Sequence, residues 1–175
     1  VKIGLNPWPG YEFLYLAHIK GFFKEEGVDV KLIELGSLGD CRRSFEKDRI
    51  HIMTGTNIEL LQVRATVKKT AQVFYITDYS NGGDVILAKE GINSIEQLKG
   101  KRIAAEAGSL NIYILHRALE LHSLKISDVE IVYLDQQEME KAFAEGKIDA
   151  LVSYPPVSVN VTNNFKTKQL FSSKD

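Results

Sequence analysis

The chain has 175 residues, a formal net charge of −1 and a pI near 6.5. The size suits one domain or two small lobes. A near-neutral balance without basic runs argues against a nucleic-acid surface. No apolar run reaches the roughly 18 residues of a bilayer span. A single cysteine, Cys41, excludes an intrachain disulfide and a cysteine-rich metal site.

The chain opens on an apolar run, Val1 to Leu5, that reads as a short buried strand. Asn6-Pro7-Trp8-Pro9-Gly10 follows as a stiff loop, because each proline fixes its own φ and pushes the residue before it into extended backbone. A helix is expected over 11–23, with Phe13, Leu14 and Ala17 on its apolar face. Gly27 stops it before a strand over 28–33. The segment Gly36 to Asp40 offers capping residues for a helix over 41–47. A strand over 51–53 and the turn Thr54-Gly55-Thr56-Asn57 lead into a helix ending near Thr66. Val67-Lys68-Lys69 reads as a solvated turn, and β-branched and aromatic residues favour a strand over 71–76. Another strand, 85–88, and a helical turn, 94–98, complete the first half.

The order then starts again: strand 102–105, helix 109–122, strand 129–133, helix 136–144, strand 150–152 and a last short strand, 169–171. Phe45 to Met53 matches Phe143 to Leu151, with phenylalanine, a basic residue and isoleucine in register. Asp29 to Ile33 answers Asp128 to Val132 at nearly the same offset. One offset for two matches is the mark of an internal repeat. Alternating short units imply parallel strands joined by right-handed crossovers. The expectation is an α/β protein of two lobes, each a mainly parallel sheet flanked by helices. Lobe 1 is expected over 1–80 with a C-terminal return at 165–175, and lobe 2 over 81–164. The crossings are placed near 78–84, where Gly82-Gly83 interrupts regular structure, and at 154–164.

Ligands of open α/β sheets bind at the C-terminal strand ends. A cleft between two such lobes would gather Trp8 and Tyr11, 36–40, 54–57, 79–84, 106–111 and Tyr154. The candidate ligand-binding residues are Trp8, Tyr11, Ser37, Thr54, Thr56, Asn57, Tyr79, Asp84, Ser109, Asn111 and Tyr154. Helix N-termini there favour anions or carbonyl oxygens. Ser, Thr and Asn at such places also serve as plain helix caps. Trp8 is either a flat platform for a ring or cationic group or a residue packed onto its lobe. Asp84 either pairs with an amine or fixes the crossing through backbone hydrogen bonds. The four histidines, His18, His51, His116 and His122, lack metal-ligand spacing, and His51 answers Asp149 in the repeat. No nucleophile elbow, phosphate loop or dinucleotide fingerprint occurs, so no catalytic residue, metal or cofactor is expected.

Five blocks in order carry a resemblance: Asn6 to Glu12, Lys20 to Gly27, Asp78 to Asp84, Leu98 to Ile103 and Phe143 to Ala150. Together they resemble the nitrate/sulfonate/taurine-type solute-binding proteins of ABC importers, a family that includes relatives of the thiamine-pyrimidine-precursor synthases. The resemblance implies a type II periplasmic-binding-protein fold, a small polar organic solute held between the lobes, delivery to a membrane permease, a periplasmic or extracytoplasmic location and a monomer. By position it implies cleft roles for Trp8, Tyr11, Ser37, Thr54, Thr56, Asp84, Ser109 and Asn111. Two departures stand out within the repeat: Asp48 where relatives often have glycine, and His51 where they have an acid. Relatives usually continue beyond the position of Asp175, so a fragment or excised domain is expected. The alternatives are a sensing domain of a membrane receptor with a signalling output domain as partner, and a synthase-type enzyme. The synthases use a cysteine-rich loop, and one cysteine argues against that activity.

Overall fold

The structure is a computed structural model that describes residues 1–67 and 70–175. The chain divides into two units, Val1–Tyr79 and Ser80–Asp175. Lys68 and Lys69, expected in a solvated turn, lie outside the described residues.

The first unit is built on a parallel sheet. Its strands are β1 (Lys2–Leu5), β2 (Lys31–Glu34) and β3 (Ile52–Met53), in the order β2-β1-β3. Between β1 and β2 the expected single helix is broken. A 3-10 turn, Pro9–Tyr11, precedes α1 (Glu12–Lys20), and α2 (Phe22–Glu25) follows Gly21. Gly21 has φ 81°, a left-handed conformation that ends one helix and redirects the chain into the next. The apolar face is only partly as expected: Leu14 and Ala17 are half-buried, while Phe13 is exposed. Ile3, Leu5, Tyr11 and Val30 form the buried cluster on this side, with Trp8 and Leu14 packed against it. Helix α3 (Leu38–Glu46) joins β2 to β3, and α4 (Asn57–Thr66) follows β3.

Residues 70–80 carry no regular secondary structure, so the expected strand over 71–76 is corrected. Val73, Phe74, Tyr75 and Ile76 are exposed. Strand propensity reflects packing on a pleated, half-buried surface, and this segment has no strand partner among the described residues.

The second unit holds a five-stranded sheet in the order β6-β5-β7-β4-β8. The strands are β4 (Val85–Lys89), β5 (Arg102–Ala105), β6 (Glu130–Tyr133), β7 (Ala150–Ser153) and β8 (Thr167–Ser172). β6, β5 and β7 are parallel, and β4 runs antiparallel to both of its neighbours. Helices α5 (Leu110–Leu121), α6 (Gln136–Ala144) and α7 (Val157–Asn164) complete it. Alternate residues of the central strands enter different cores. Ile86, Ile103 and Val152 join Leu115 and Leu119 of α5, whereas Leu87, Ala104 and Leu151 join Met139 of α6 and Val161 of α7. The strands therefore read as continuous apolar runs, as expected of a sheet covered on both faces.

The C-terminal return to lobe 1 is corrected. Residues 165–175 belong to the second unit, where β8 pairs along the whole of β4. The crossing expected at 154–164 is instead largely the helix α7, with Val157 and Val161 buried in the same core. The apolar Leu170-Phe171 pair, read as a weak ending, packs at an edge where β4 offered free hydrogen-bonding groups.

The internal repeat has a structural counterpart. Within each unit a central strand pairs in parallel with two neighbours: β1 with β2 and β3, β5 with β6 and β7. Asp48 (φ 56°) and Gly146 (φ 71°), matched in the sequence repeat, both adopt the left-handed conformation that ends the preceding helix. Lys2 N donates to His51 Nδ1 at 2.9 Å, and Arg102 N donates to Asp149 Oδ2 at 3.0 Å. The histidine and the aspartate are thus equivalent in the fold, each accepting from the first residue of the central strand.

Candidate functional site

In the first unit, the C-terminal ends of β1 and β3 bring several expected residues together. Trp8 caps the 3-10 turn in extended backbone, and its Nε1 donates to Asp78 Oδ2 at 2.7 Å. The ring is half-buried against the apolar cluster, so it both packs on the unit and makes a polar contact. Gly10 lies under this pair: a Cβ there would fall 1.9 Å from Asp78 Oδ2 and 2.5 Å from Trp8 Nε1. Tyr11 is buried, and its hydroxyl donates to Gly55 O at 3.4 Å. Burial first, then the charges of Asp78 and Glu59, push its pKa up, so it stays a neutral phenol. Thr54 Oγ1 donates to Asn6 Oδ1 at 3.3 Å, both side chains being buried.

The helix-opening residues serve as caps. Ser37 Oγ accepts from Asp40 N at 3.1 Å at the start of α3, and Arg43 pairs with Asp40 at 2.8 Å. Thr56 N donates to Glu59 Oε2 at 2.8 Å and Ile58 N to Thr56 Oγ1 at 3.1 Å, closing a capping box on α4. Asn57 is exposed at the first position of α4. Tyr79 is 84% exposed at the end of the unit, away from these hydrogen bonds. Tyr11, Thr54 and Thr56 also line a concavity of about 430 Å³, whose wall is otherwise largely apolar and includes Leu14, Ile52 and Phe74.

In the second unit, Asp84 is buried and accepts a hydrogen bond from Ser80 Oγ. Ser173 surrounds the same point: its N donates to Asp84 O at 2.8 Å, and its Oγ accepts from Gly82 N at 2.9 Å. These bonds hold both the backbone and the carboxylate of Asp84 within the second unit. Ser109 caps α5, accepting from Asn111 N at 3.2 Å and donating to Glu106 O at 3.1 Å.

Asn111 and Tyr154 belong to a buried polar network. Asn111 Oδ1 accepts from Gln136 Nε2 at 2.9 Å and from Glu106 N at 3.3 Å. Ser153 Oγ donates to Gln136 Oε1 at 2.6 Å, and Tyr154 Oη to Glu106 Oε1 at 2.9 Å. Glu106, Asn111, Gln136 and Ser153 are wholly buried. The sequence reading covered Glu106 only as part of a segment and did not single out Asp78, Gln136 or Ser153. A carboxylate directly after the apolar strand Ile103-Ala104-Ala105 was the available signal; Asp78 and Gln136 carried none.

Among the described residues no group of histidine, cysteine and acidic side chains could hold a metal ion. No described helix is long and apolar enough to cross a membrane.

Parallel strands whose C-terminal ends run into capped helices recur in the two units, and the fold is the type II periplasmic-binding-protein fold. The fold agrees closely with the alkanesulfonate-binding protein of Xanthomonas axonopodis pv. citri bound to MOPS, at a TM-score of 0.82 and 21% identity over 99% of this chain and 61% of that one. The family profile described as NMT1/THI5 like matches residues 8–173, and the chain belongs to that family. Its relatives include an Escherichia coli (strain K12) protein named for binding aliphatic sulfonates, 28% identical over 131 residues, which are 75% of this chain and 36% of that protein. A 4-amino-5-hydroxymethyl-2-methylpyrimidine phosphate synthase of Saccharomyces cerevisiae (strain ATCC 204508 / S288c) is 28% identical over 148 residues, 83% of this chain and 42% of the enzyme. The chain thus spans under half the length of these relatives.

Proposed function

We propose that this chain is the ligand-binding part of an extracytoplasmic solute-binding protein that delivers a small polar organic solute to the permease of an ABC importer, without turning it over. One observation carries the reading: in a fold shared with a sulfonate-binding protein, polar side chains sit where the parallel strands end. In the first unit these are Thr54 and Thr56, with Trp8 and Tyr11 beside them, and Ser37 opens the helix after β2. In the second unit they are Ser109, Asn111 and Tyr154. Asn57, Tyr79 and Asp84 complete the proposed set, with Asp84 positioning its loop.

A thermal-shift screen over aminosulfonates, nitrate, pyrimidines and polyamines tests this, since a ligand of the folded state raises apparent stability by mass action. A hit that binds stoichiometrically and is recovered unchanged supports the reading. Product formation from any hit would favour the enzymatic reading that the yeast relative raises. A panel with no hit would count against solute binding by this chain.

A further inference from the structure

The concavity of the first unit runs along the edge of its sheet. β3 ends the order β2-β1-β3 and pairs with β1 alone among the described residues. His51, Ile52, Met53 and Thr54 line the concavity in succession. Neighbouring side chains of a strand point to opposite faces, so a hollow that touches this whole run follows its open edge. Such an edge is a template for pairing with another chain. A further wall is formed by 70–75 and Thr77.

That wall has the chemistry of a strand. Gln72 to Ile76 carries no charge and no proline, and Val73, Phe74, Tyr75 and Ile76 are 56%, 76%, 73% and 60% exposed. An uncharged, β-prone run beside an open edge is the pattern that draws in a second chain. The hollow complements the run. No lysine, arginine, aspartate or glutamate lines it, and Ile3, Leu14 and Leu60 contribute to its apolar wall.

A slot and a segment fitted to it therefore lie on one molecule. We infer that this face is an interface between two copies of the chain, the 72–76 run of each seated along the β3 edge of the other. Because run and edge border the same hollow, one two-fold axis satisfies both contacts, and association closes at a pair. A second copy fits better than an unrelated partner because it brings both surfaces: the pair buries two exposed runs and covers two open edges. The inference goes beyond the proposed function and does not rest on it. It departs from the monomer that the family resemblance implies.

Sedimentation velocity of the chain over the micromolar range tests it. A monomer–dimer equilibrium is expected. Amide exchange at 52–53 and 72–76, like protease cleavage at 72–76, should slow as the dimer becomes populated. Phe74→Asp places a charge in the uncharged slot and should raise the dimer dissociation constant by about tenfold or more, the scale of one aromatic anchor at an interface. Where Phe74→Asp does not fold, Tyr75→Lys carries the same expectation; where neither folds, the exchange pattern of the unaltered chain decides. A chain that stays monomeric throughout the range overturns the inference. A dimer that Phe74→Asp leaves intact, or that leaves exchange at 52–53 and 72–76 unchanged, places the contact on another face and overturns it too. Protection of both segments at every concentration would put something other than a second copy in the slot, with the same consequence. Association that continues past two copies overturns the closed pair. The thermal-shift screen reads solute binding in either state, so each reading can fail alone.

Discussion

Trp8 carries the packing reading in the structure, and the platform reading belongs to the proposed function. Its ring packs on the first unit's cluster while its Nε1 holds Asp78. Under the proposed function, Trp8→Ala should lower affinity for a screen hit by about 0.5–2 kcal/mol, the range of one ring–cation contact; equal affinity in calorimetry would remove Trp8 from the site. Gly10→Ala should break the Trp8–Asp78 bond by crowding it, because its Cβ would lie 1.9 Å from the Asp78 oxygen. The indole N–H resonance of this single tryptophan reports the change. Asp149 gives a pH dependence of defined sign. The Arg102 guanidinium beside it, donating at 2.8 Å and 3.0 Å, holds its carboxyl below the usual range. A depressed folded-state pKa adds stability above the unfolded value of about 3.9, and that stability is lost as pH falls through the folded pKa. The pair is partly exposed, so the effect is modest. Asp149→Asn should flatten the acid limb of a urea-stability profile below about pH 4; an unchanged limb would contradict the assignment.

At the scale of elements, the repeat carries a prediction that either half alone would not. Asp48 holds the left-handed conformation that Gly146 holds at the matched position. A side chain there is strained, whereas glycine is not. Asp48→Gly should therefore stabilise the chain by about 0.5–1 kcal/mol, offset in part by glycine's freedom when unfolded, and Gly146→Asp should destabilise it by a similar amount. Denaturant midpoints of the two variants check the sign. The caps behave alike: Ser109→Ala removes the acceptor for Asn111 N at the start of α5 and should cost about 1 kcal/mol. Elements bounded by such chemistry were legible in the sequence. The helix Gln136–Ala144 was read to the residue, because Asp135 and Glu138 frame its start and Gly146 its end. The strand over 71–76 failed for the complementary reason, that its composition asks for a neighbouring strand which composition alone cannot provide.

For the molecule as a whole, the proposed function makes stability depend on solute. At a concentration one hundred times Kd, a bound solute should add about 2.7 kcal/mol to unfolding, and the midpoint should rise further with concentration. The exposed, irregular stretch 72–79 should be an early site of limited proteolysis, since cleavage favours exposed backbone without regular structure; mass spectrometry of the first fragments checks the position.

Local chemistry by itself determined the alternating elements, the repeat, the turn glycines, the caps and the family, because each is written in residues close along the chain. Tertiary structure alone decided where β8 pairs, what Asp84 holds, and that Glu106, Asn111, Gln136, Ser153 and Tyr154 form one network. Those partners lie up to 89 positions apart, as Asp84 and Ser173 do. Hydrogen bonds at such separations depend on how the sheet brings its strands together, and the letters of either partner do not name the other.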